Sequence, residues 1–357
     1  MISRVIVLLL ALFLLQLLLS RALQDPSESW AEQLYDLSKS RFTARNNTLP
    51  KFDRLHLLRV PKAGSTALSV VARRMAGCYP AGPCCKYPGT PPGSCPSPDL
   101  FKCEAEEGGP LVGCTHHRAH PDELLSAEIP SISMMREPVA RAISAFNYPG
   151  IHHNSKCTGS RWAARGDRCF KEYTADPRWR NVAVKMFSGC YAYSNDEACE
   201  HAGKCKCSLH TALAHLEGGK LAVVGVMELW ELSMVLLHER FPHFSPSFDE
   251  FQGAAAIANT TSSSGGVRAR TVFRQQGQGQ QQEQQHEVKQ FTIKSSSPSD
   301  MAPAHYAALV QQSGLDSQLY QAVLRRMQAQ LKEAGLLAHP VISRYWQEKA
   351  VPLLTVV

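Results

Sequence analysis

The feature that most constrains the fold is residues 55–75, LHLLRVPKAGSTALSVVARRM, where an apolar run leads through a short polar turn into a helical pattern. The apolar run is typical of a buried strand. One face of the following helix is formed, at helical spacing, by Leu68, Val71, Ala72 and Met75. The turn PKAGST offers a lysine, two hydroxyls and backbone N–H groups at a helix N-terminus, which together favour an anion. The segment therefore predicts a strand–turn–helix unit that binds a negatively charged group.

The order of residues in this turn limits the kind of anion site it can form. A Walker A loop has the pattern GxxxxGK[ST], whereas here Lys62 precedes Gly64 and no second glycine is present. Gly64 has no Cβ, so the backbone at this position is predicted to approach a ligand closely. On these residues alone, a strand–turn–helix with an incidental lysine remains an alternative.

A second unit of the same kind begins at residue 131. The apolar run SISMM predicts a buried strand and leads directly into Arg136, Glu137 and Pro138. Proline suits the first position of a helix, where its missing N–H costs nothing. Arg136 is thereby predicted at the carboxyl end of its strand, where open α/β sheets bind ligands. Ser144 follows on a face of the predicted helix that the apolar stripe leaves open.

Taken together, the two units resemble the cofactor-binding segments of sulfotransferases that use 3′-phosphoadenosine 5′-phosphosulfate (PAPS). PKAGST is similar to the 5′-phosphosulfate loop of that family, and REPVARAISAFNY is similar to its 3′-phosphate pattern, R[DE]PxxRxxSxY. The resemblance implies that PAPS is the cosubstrate and that its 5′ end is bound by Lys62, Ala63, Gly64, Ser65 and Thr66. It also implies that Arg136 and Ser144 bind the 3′-phosphate.

This resemblance covers about residues 55–241 and returns at residues 315–331, where Asp316, Leu319 and Tyr320 match a D..LY helix near the carboxyl end of many sulfotransferase domains. It implies an α/β, P-loop-like three-layer sandwich with a central parallel sheet flanked by helices. The alternation of apolar runs with helical patterns favours the same parallel sheet. Buried strands are predicted at residues 55–60, 111–114, 131–135 and 221–226, and helices at 65–76, 121–128, 138–147, 209–216, 228–239 and 315–331.

Sulfuryl transfer needs a group that neutralises the leaving phosphate and a general base for the acceptor hydroxyl. Lys62 is predicted to face the bridging oxygen of the leaving group. A histidine is the usual base because its pKa lies near neutral pH, and THHR follows the second predicted strand. In the galactose 3-O-sulfotransferases the corresponding string looks like HHMR, and in the heparan sulfate 2-O-sulfotransferases it is of an HGH type. His117 is thus the first candidate for the base and His116 the second.

Other groups near this segment are weaker candidates for catalysis or binding. His120 precedes a proline and is predicted to cap a helix or to be exposed. Some sulfotransferases use a glutamate base, a role open to Glu104, Glu106 or Glu107, and Arg118 is an alternative contact for an acidic acceptor. No metal is expected, since Lys62 and a helix terminus neutralise the leaving group.

Composition and the first residues indicate the secretory pathway. Residues 1–23 contain Arg4 and then an apolar run that is short for a bilayer span and normal for a signal peptide. The resemblance to Golgi sulfotransferases implies an uncleaved anchor and a single-pass type II protein with a lumenal catalytic domain. Cleavage after Ala22, and hence secretion, is the alternative. The twelve cysteines predict a disulfide framework, with a metal site at Cys199, Cys205 and Cys207 as the rival.

The predicted organisation is a signal anchor or signal peptide (1–23), a stem (24–51), a sulfotransferase domain (52–340) and a tail (341–357). Two insertions interrupt the domain, a Cys-rich one at 78–110 and a disordered Gln/Ser-rich one at 252–300. The expected function is transfer of a sulfuryl group from PAPS to a hydroxyl of a glycan. The lumenal address disfavours nucleic acid, and the membrane is a partner if the anchor is uncleaved. The alternatives are a protein-tyrosine sulfotransferase and a catalytically inactive lumenal glycan-binding protein.

Overall fold

A small parallel sheet forms the centre of the structure, a computed structural model that describes residues 29–44, 54–75, 111–116, 130–147, 162–219, 221–242, 244, 246–252 and 301–355. Its strands are β1 (Arg54–Arg59), β2 (Leu111–His116), β3 (Ser131–Met135) and β6 (Leu221–Val226), in the order β2-β1-β3-β6. The short strands β4 (Ala198–Cys199) and β5 (Cys207–Ser208) pair separately.

Helices make up most of the remaining described chain. They are α1 (Trp30–Ala44), α2 (Ser65–Met75), α3 (Pro138–Phe146), α4 (Trp162–Ala175), α5 (Val182–Phe187), α6 (Leu209–Glu217), α7 (Trp230–Arg240), α8 (Phe248–Phe251), α9 (Pro303–Gln312), α10 (Gly314–Glu333), α11 (Pro340–Tyr345) and α12 (Val351–Leu354). Short 3₁₀ turns lie at Pro177–Trp179, Met227–Leu229 and Leu336–Ala338, and a π-helical turn at Trp346–Ala350. The predicted mixed α/β class with a parallel sheet is confirmed.

Apolar residues of the strands build the core. Leu57, Leu58 and Ile132 are almost completely buried in the centre of the sheet. Helix α2 packs against β1 and β3, while α7 and α10 pack against β6. Every residue of β3 and of β6 is buried, as expected for parallel strands with both faces covered.

Most strand and helix positions agree with the sequence patterns. β3 and β6 have the predicted bounds, whereas β2 extends past residue 114 to His116. The helix predicted at 228–239 begins instead as the 3₁₀ turn Met227–Leu229 and becomes α-helical at Trp230. The helix predicted at 121–128, the insertion at 78–110 and the tract from 253 to 300 lie outside the described residues.

Parts of the predicted stem and tail pack onto the domain. Within the stem, Leu34 of α1 is completely buried, and α1 lies against α7 and α8. At the other end of the chain, Trp346 is 2% exposed, and the Tyr345 ring meets the Trp30 ring edge-to-face with centroids 5.1 Å apart. Apolar residues on one face of each segment explain this packing, because burying them releases water.

Two disulfides connect the region around β4 and β5. Cys190 is bonded to Cys207, and Cys199 to Cys205. The predicted disulfide framework is therefore confirmed for these residues, and the metal site considered for the same cysteines is wrong, because their sulfurs are oxidised in pairs. Disulfides fit a lumenal or secreted location. None of the described helices is long and apolar enough to cross a membrane, and the predicted anchor at 1–23 lies outside the described part of the chain.

Candidate functional site

Strand order creates a crevice between the carboxyl ends of β1 and β3. In the strand order β2-β1-β3-β6, the connection from β1 leads toward one edge of the sheet, and the connection from β3 leads toward the opposite edge. Connections that diverge in this way open a crevice outside the carboxyl ends of the two strands, where α/β proteins bind ligands. The PKAGST turn follows β1 and Arg136 follows β3, so the topology brings the two predicted binding segments to one place.

The backbone of the PKAGST turn is sharply bent. Lys62 has φ 66° and Gly64 has φ 72°, both in the left-handed region. For a residue with a Cβ this conformation costs about 1–2 kcal/mol. The Ala63 N–H donates to the Val60 carbonyl at 3.4 Å, and the Leu68 N–H donates to the Gly64 carbonyl at 3.1 Å, as α2 begins. A strained lysine held between two ordered elements is common at functional sites.

A Cβ added at Gly64 would point toward the protein interior. A Cβ at this position would overlap the Sδ of Met227, and it would lie 3.7 Å from the Cγ of Met134. The glycine therefore lets the turn pack closely against the end of β6. Close approach of the Gly64 backbone to a ligand stays a prediction.

Burial divides the residues of this turn into two groups. Ala63 is completely buried and Ser65 is 5% exposed, whereas Lys62 and Gly64 are partly exposed. The side chain of Thr66 is outside what the structure describes. The lysine is thus the charged group that the turn presents at the crevice.

Arg136 leads into a helix whose N-terminus is already capped. Pro138 occupies the start of α3, as predicted, and the Glu137 carboxylate accepts hydrogen bonds from the N–H groups of Val139 (3.0 Å) and Ala140 (2.6 Å). The first turn of α2 contains no acidic residue. Because a helix N-terminus attracts negative charge, α2 is the one of these two helices whose terminus suits an external anion.

Lys62 and Arg136 are close enough for their charges to interact. Burial lowers the pKa of Lys62, and the neighbouring Arg136 guanidinium lowers it further. Two cations held together in a partly buried crevice repel each other, and a ligand with several negative charges relieves that repulsion. Ser144 is partly exposed on α3.

A carboxylate that the sequence patterns did not single out lies beside Arg136. Glu228 lies in the 3₁₀ turn Met227–Leu229 that follows β6. Its Oε1 accepts a hydrogen bond from the Glu137 N–H and its Oε2 accepts one from the Tyr320 hydroxyl, each at 3.0 Å. Burial raises the pKa of Glu228, while these hydrogen bonds and Arg136 oppose the rise. A charged residue two positions after the buried run LAVVGV, at the carboxyl end of a strand, is the signal that would have found it.

The other two residues of the D..LY match have structural roles. Asp316 is completely buried; its carboxylate accepts hydrogen bonds from the N–H groups of Ala183 and Val184 at the start of α5, and Arg141 lies 3.4 Å away. In return, Asn181 caps the start of α10 by accepting from the backbone of Leu315 and Asp316. Leu319 is completely buried. This exchange of caps fixes α5 and α10 relative to α3.

Of the two histidines predicted as the base, the structure describes His116 but not His117. His116 is the last residue of β2, and its backbone pairs in register with Arg59 of β1. This places the His116 backbone at the same end of the sheet as the PKAGST turn, one strand away. His117, the first candidate, is outside the described residues, as are His120, Arg118 and the three glutamates at 104, 106 and 107.

Two cavities in the described part of the chain lie away from this crevice. One of about 280 Å³ opens at the start of β6, and one of about 400 Å³ lies between α4 and α9; neither is lined by Lys62 or Arg136. Among the described residues, no group of three or more histidines, cysteines or acidic residues is arranged to hold a metal ion.

Comparison with protein-family models returns no match to this chain, and comparison with curated proteins returns none.

Proposed function

We propose that this chain is a PAPS-dependent carbohydrate O-sulfotransferase with a P-loop-like three-layer fold. One observation carries the proposal: the strained PKAGST turn and Arg136 follow neighbouring strands at the point where the chain diverges on the sheet. A ligand with negative charge at two ends suits two cations on either side of one crevice. PAPS has this charge distribution, with a phosphosulfate at one end and a 3′-phosphate at the other.

The residues would divide the chemistry of an in-line transfer. The acceptor oxygen forms a bond to sulfur as the bond between sulfur and the bridging oxygen breaks, and the electron pair remains on the phosphate of adenosine 3′,5′-bisphosphate (PAP). Lys62 stabilises the charge on that bridging oxygen, together with the N-terminus of α2. Arg136 and Ser144 hold the 3′-phosphate. His117, or His116 in its place, accepts the proton of the acceptor hydroxyl.

The proposal extends to the acceptor and the compartment. A glycan is the expected acceptor, since the sequence resembles carbohydrate sulfotransferases at the histidine cluster. A lumenal catalytic domain on a single-pass Golgi anchor is the expected arrangement, and the disulfides at Cys190–Cys207 and Cys199–Cys205 are compatible with that compartment.

Binding of PAP to the purified full-length protein, measured by calorimetry, tests the cofactor half of the proposal. Lys62→Ala and Arg136→Ala should each weaken PAP binding about tenfold or more, because each removes a charged contact to phosphate. Lys332→Ala is the matched control, since Lys332 is an exposed lysine in the last turn of α10. Absence of PAP and PAPS binding by the wild-type protein would refute the proposed function.

Transfer of label from radioactive PAPS to a panel of glycans tests the activity. His117→Ala should abolish transfer and leave PAP affinity nearly unchanged; unchanged turnover would move the base to His116 or to a glutamate. Transfer to tyrosine peptides and not to glycans would identify a protein-tyrosine sulfotransferase. Binding of PAP without transfer to either acceptor class would contradict the enzymatic assignment.

A further inference from the structure

The partly buried carboxylate of Glu228 connects three elements at the candidate site. It stands in the 3₁₀ turn after β6, bonds the backbone between β3 and α3, and bonds Tyr320 of α10. Each of its two oxygens accepts one hydrogen bond at 3.0 Å, from an amide in one case and from a phenol in the other. Both donors belong to ordered elements, so the carboxylate is held in one orientation.

The amide that Glu228 binds belongs to the peptide unit between Arg136 and Glu137. A peptide unit is planar, so fixing the Glu137 N–H also fixes the orientation of the Arg136 carbonyl group. Glu137 is held a second time through its own carboxylate, which caps α3. Glu228 therefore clamps the backbone from which Arg136 projects.

Arg136 interacts with charges of both signs, those of Glu228 and Lys62. Arg136 interacts electrostatically with the Glu228 carboxylate, and it also interacts with the Lys62 ammonium. Glu228 thus offsets part of the repulsion between the two cations. Through its two hydrogen bonds, this carboxylate orients the backbone before α3 and the Tyr320 side chain.

We infer that Glu228 is a positioning residue for phosphate binding: it holds Arg136 in the orientation that binds the 3′-phosphate, and Tyr320 fixes the carboxylate in turn. This inference rests on the proposed function, since the anion is taken to be that of PAPS. It adds a residue from the turn after β6 and one from α10 to a site that the sequence patterns place after β1, β2 and β3.

Two substitutions at Glu228 separate positioning from simple electrostatics when PAP binding to the full-length protein is measured. Glu228→Gln removes the charge and retains an acceptor for the Glu137 N–H, whereas Glu228→Ala removes both. A purely electrostatic role predicts that both variants bind PAP more tightly, because a negative charge near the ligand has gone. Positioning predicts that Glu228→Ala binds PAP about tenfold more weakly and that Glu228→Gln restores most of the affinity.

A second glutamate–tyrosine hydrogen bond in the same region supplies the matched control for the Glu228–Tyr320 pair. Glu231, three residues further along, accepts a hydrogen bond from the Tyr345 hydroxyl at 2.8 Å. Glu231→Ala should lower the melting temperature without changing PAP affinity. In an Arg136→Ala background, Glu228→Ala should weaken PAP binding no further, because its effect acts through that guanidinium.

The outcomes distinguish this inference from the proposed function. Wild-type protein that fails to bind PAP overturns both. Wild-type protein that binds PAP, with Glu228→Ala binding it equally well or better, overturns the positioning role alone. If Glu228→Ala does not fold, Tyr320→Phe replaces it: PAP binding should weaken about threefold, as for loss of one modest hydrogen bond, and Tyr345→Phe should bind normally. Equal affinity of the two tyrosine variants refutes the inference.

Discussion

Acid should destabilise this protein through one buried histidine in its central strand. His56 lies in β1 and is 1% exposed, with its Nδ1 3.0 Å from the Ser131 hydroxyl. Burial lowers the pKa of His56 from 6.5 to about 4, since the imidazolium is costly to hold away from water. The neutral form is therefore the one compatible with the fold.

The sign and size of the effect follow from this difference in pKa. Between pH 6.5 and pH 4 the unfolded chain binds a proton at this position and the folded chain does not, so the free energy of unfolding decreases as the pH decreases. At about pH 5 the loss from His56 alone is about 2 kcal/mol relative to neutral pH, and it approaches about 3 kcal/mol near pH 4.

Urea unfolding at a series of pH values, followed by tryptophan fluorescence, measures this loss. His56→Gln retains a polar partner for Ser131 but does not titrate, so its loss of stability between neutral pH and about pH 5 should be smaller by about 2 kcal/mol. His210→Gln is the control for the same change of side chain at an exposed position, since His210 is exposed on α6. Equal losses in wild type and His56→Gln would refute the argument that burial holds this imidazole neutral.

Three further predictions concern folding stability, each measured by urea unfolding without ligand. Gly64→Ala should lower the free energy of unfolding by about 2–3 kcal/mol, because the left-handed backbone disfavours a Cβ and the Met227 side chain must move. Gly219→Ala, at φ +75° with nothing within 4 Å of the new Cβ, should lower it by about 1–2 kcal/mol. Equal losses in the two variants would contradict the close packing at Gly64. Asp316→Ala should lower the free energy of unfolding by about 3–5 kcal/mol, because it leaves the buried Arg141 guanidinium without its carboxylate and the start of α5 uncapped. A loss below about 1 kcal/mol would contradict the exchange of caps. Replacing Cys190 and Cys207 by serine should cost about 3 kcal/mol, since their bond closes a loop with a sequence separation of 17; unchanged stability would show that this loop is already ordered without the bond.

Local patterns predicted the elements that carry the candidate site. The apolar runs before Lys62 and Arg136 are β1 and β3, and Pro138 starts a helix as its fixed backbone angle requires. These predictions succeeded because they depend on neighbours within a few residues, where hydrophobic spacing and proline geometry act directly. The roles of His116 and His117 stay predictions.

Contacts between residues far apart in the chain explain the packing of α1 and the role of Asp316, which the sequence patterns did not predict. The polar composition of the segment before residue 52 predicts a stem, yet Leu34 of α1 is buried and α1 packs against α7 and α8. Asp316 matched a family motif, but its exchange of caps with Asn181 depends on a residue 135 positions away. The partners in these contacts lie far apart in the chain, so a local pattern does not identify them.

The sequence by itself determined that two strand–turn–helix units exist and that each has a cation between its strand and its helix, Lys62 in one and Arg136 in the other. Only the tertiary structure decided that they meet, because the strand order β2-β1-β3-β6 puts their turns on either side of one crevice. It also brought Glu228 to the Glu137 amide, across 91 positions of the chain. The physical reason is that strand and helix formation depends on nearby residues, whereas strand order and side-chain pairing depend on how the whole core packs.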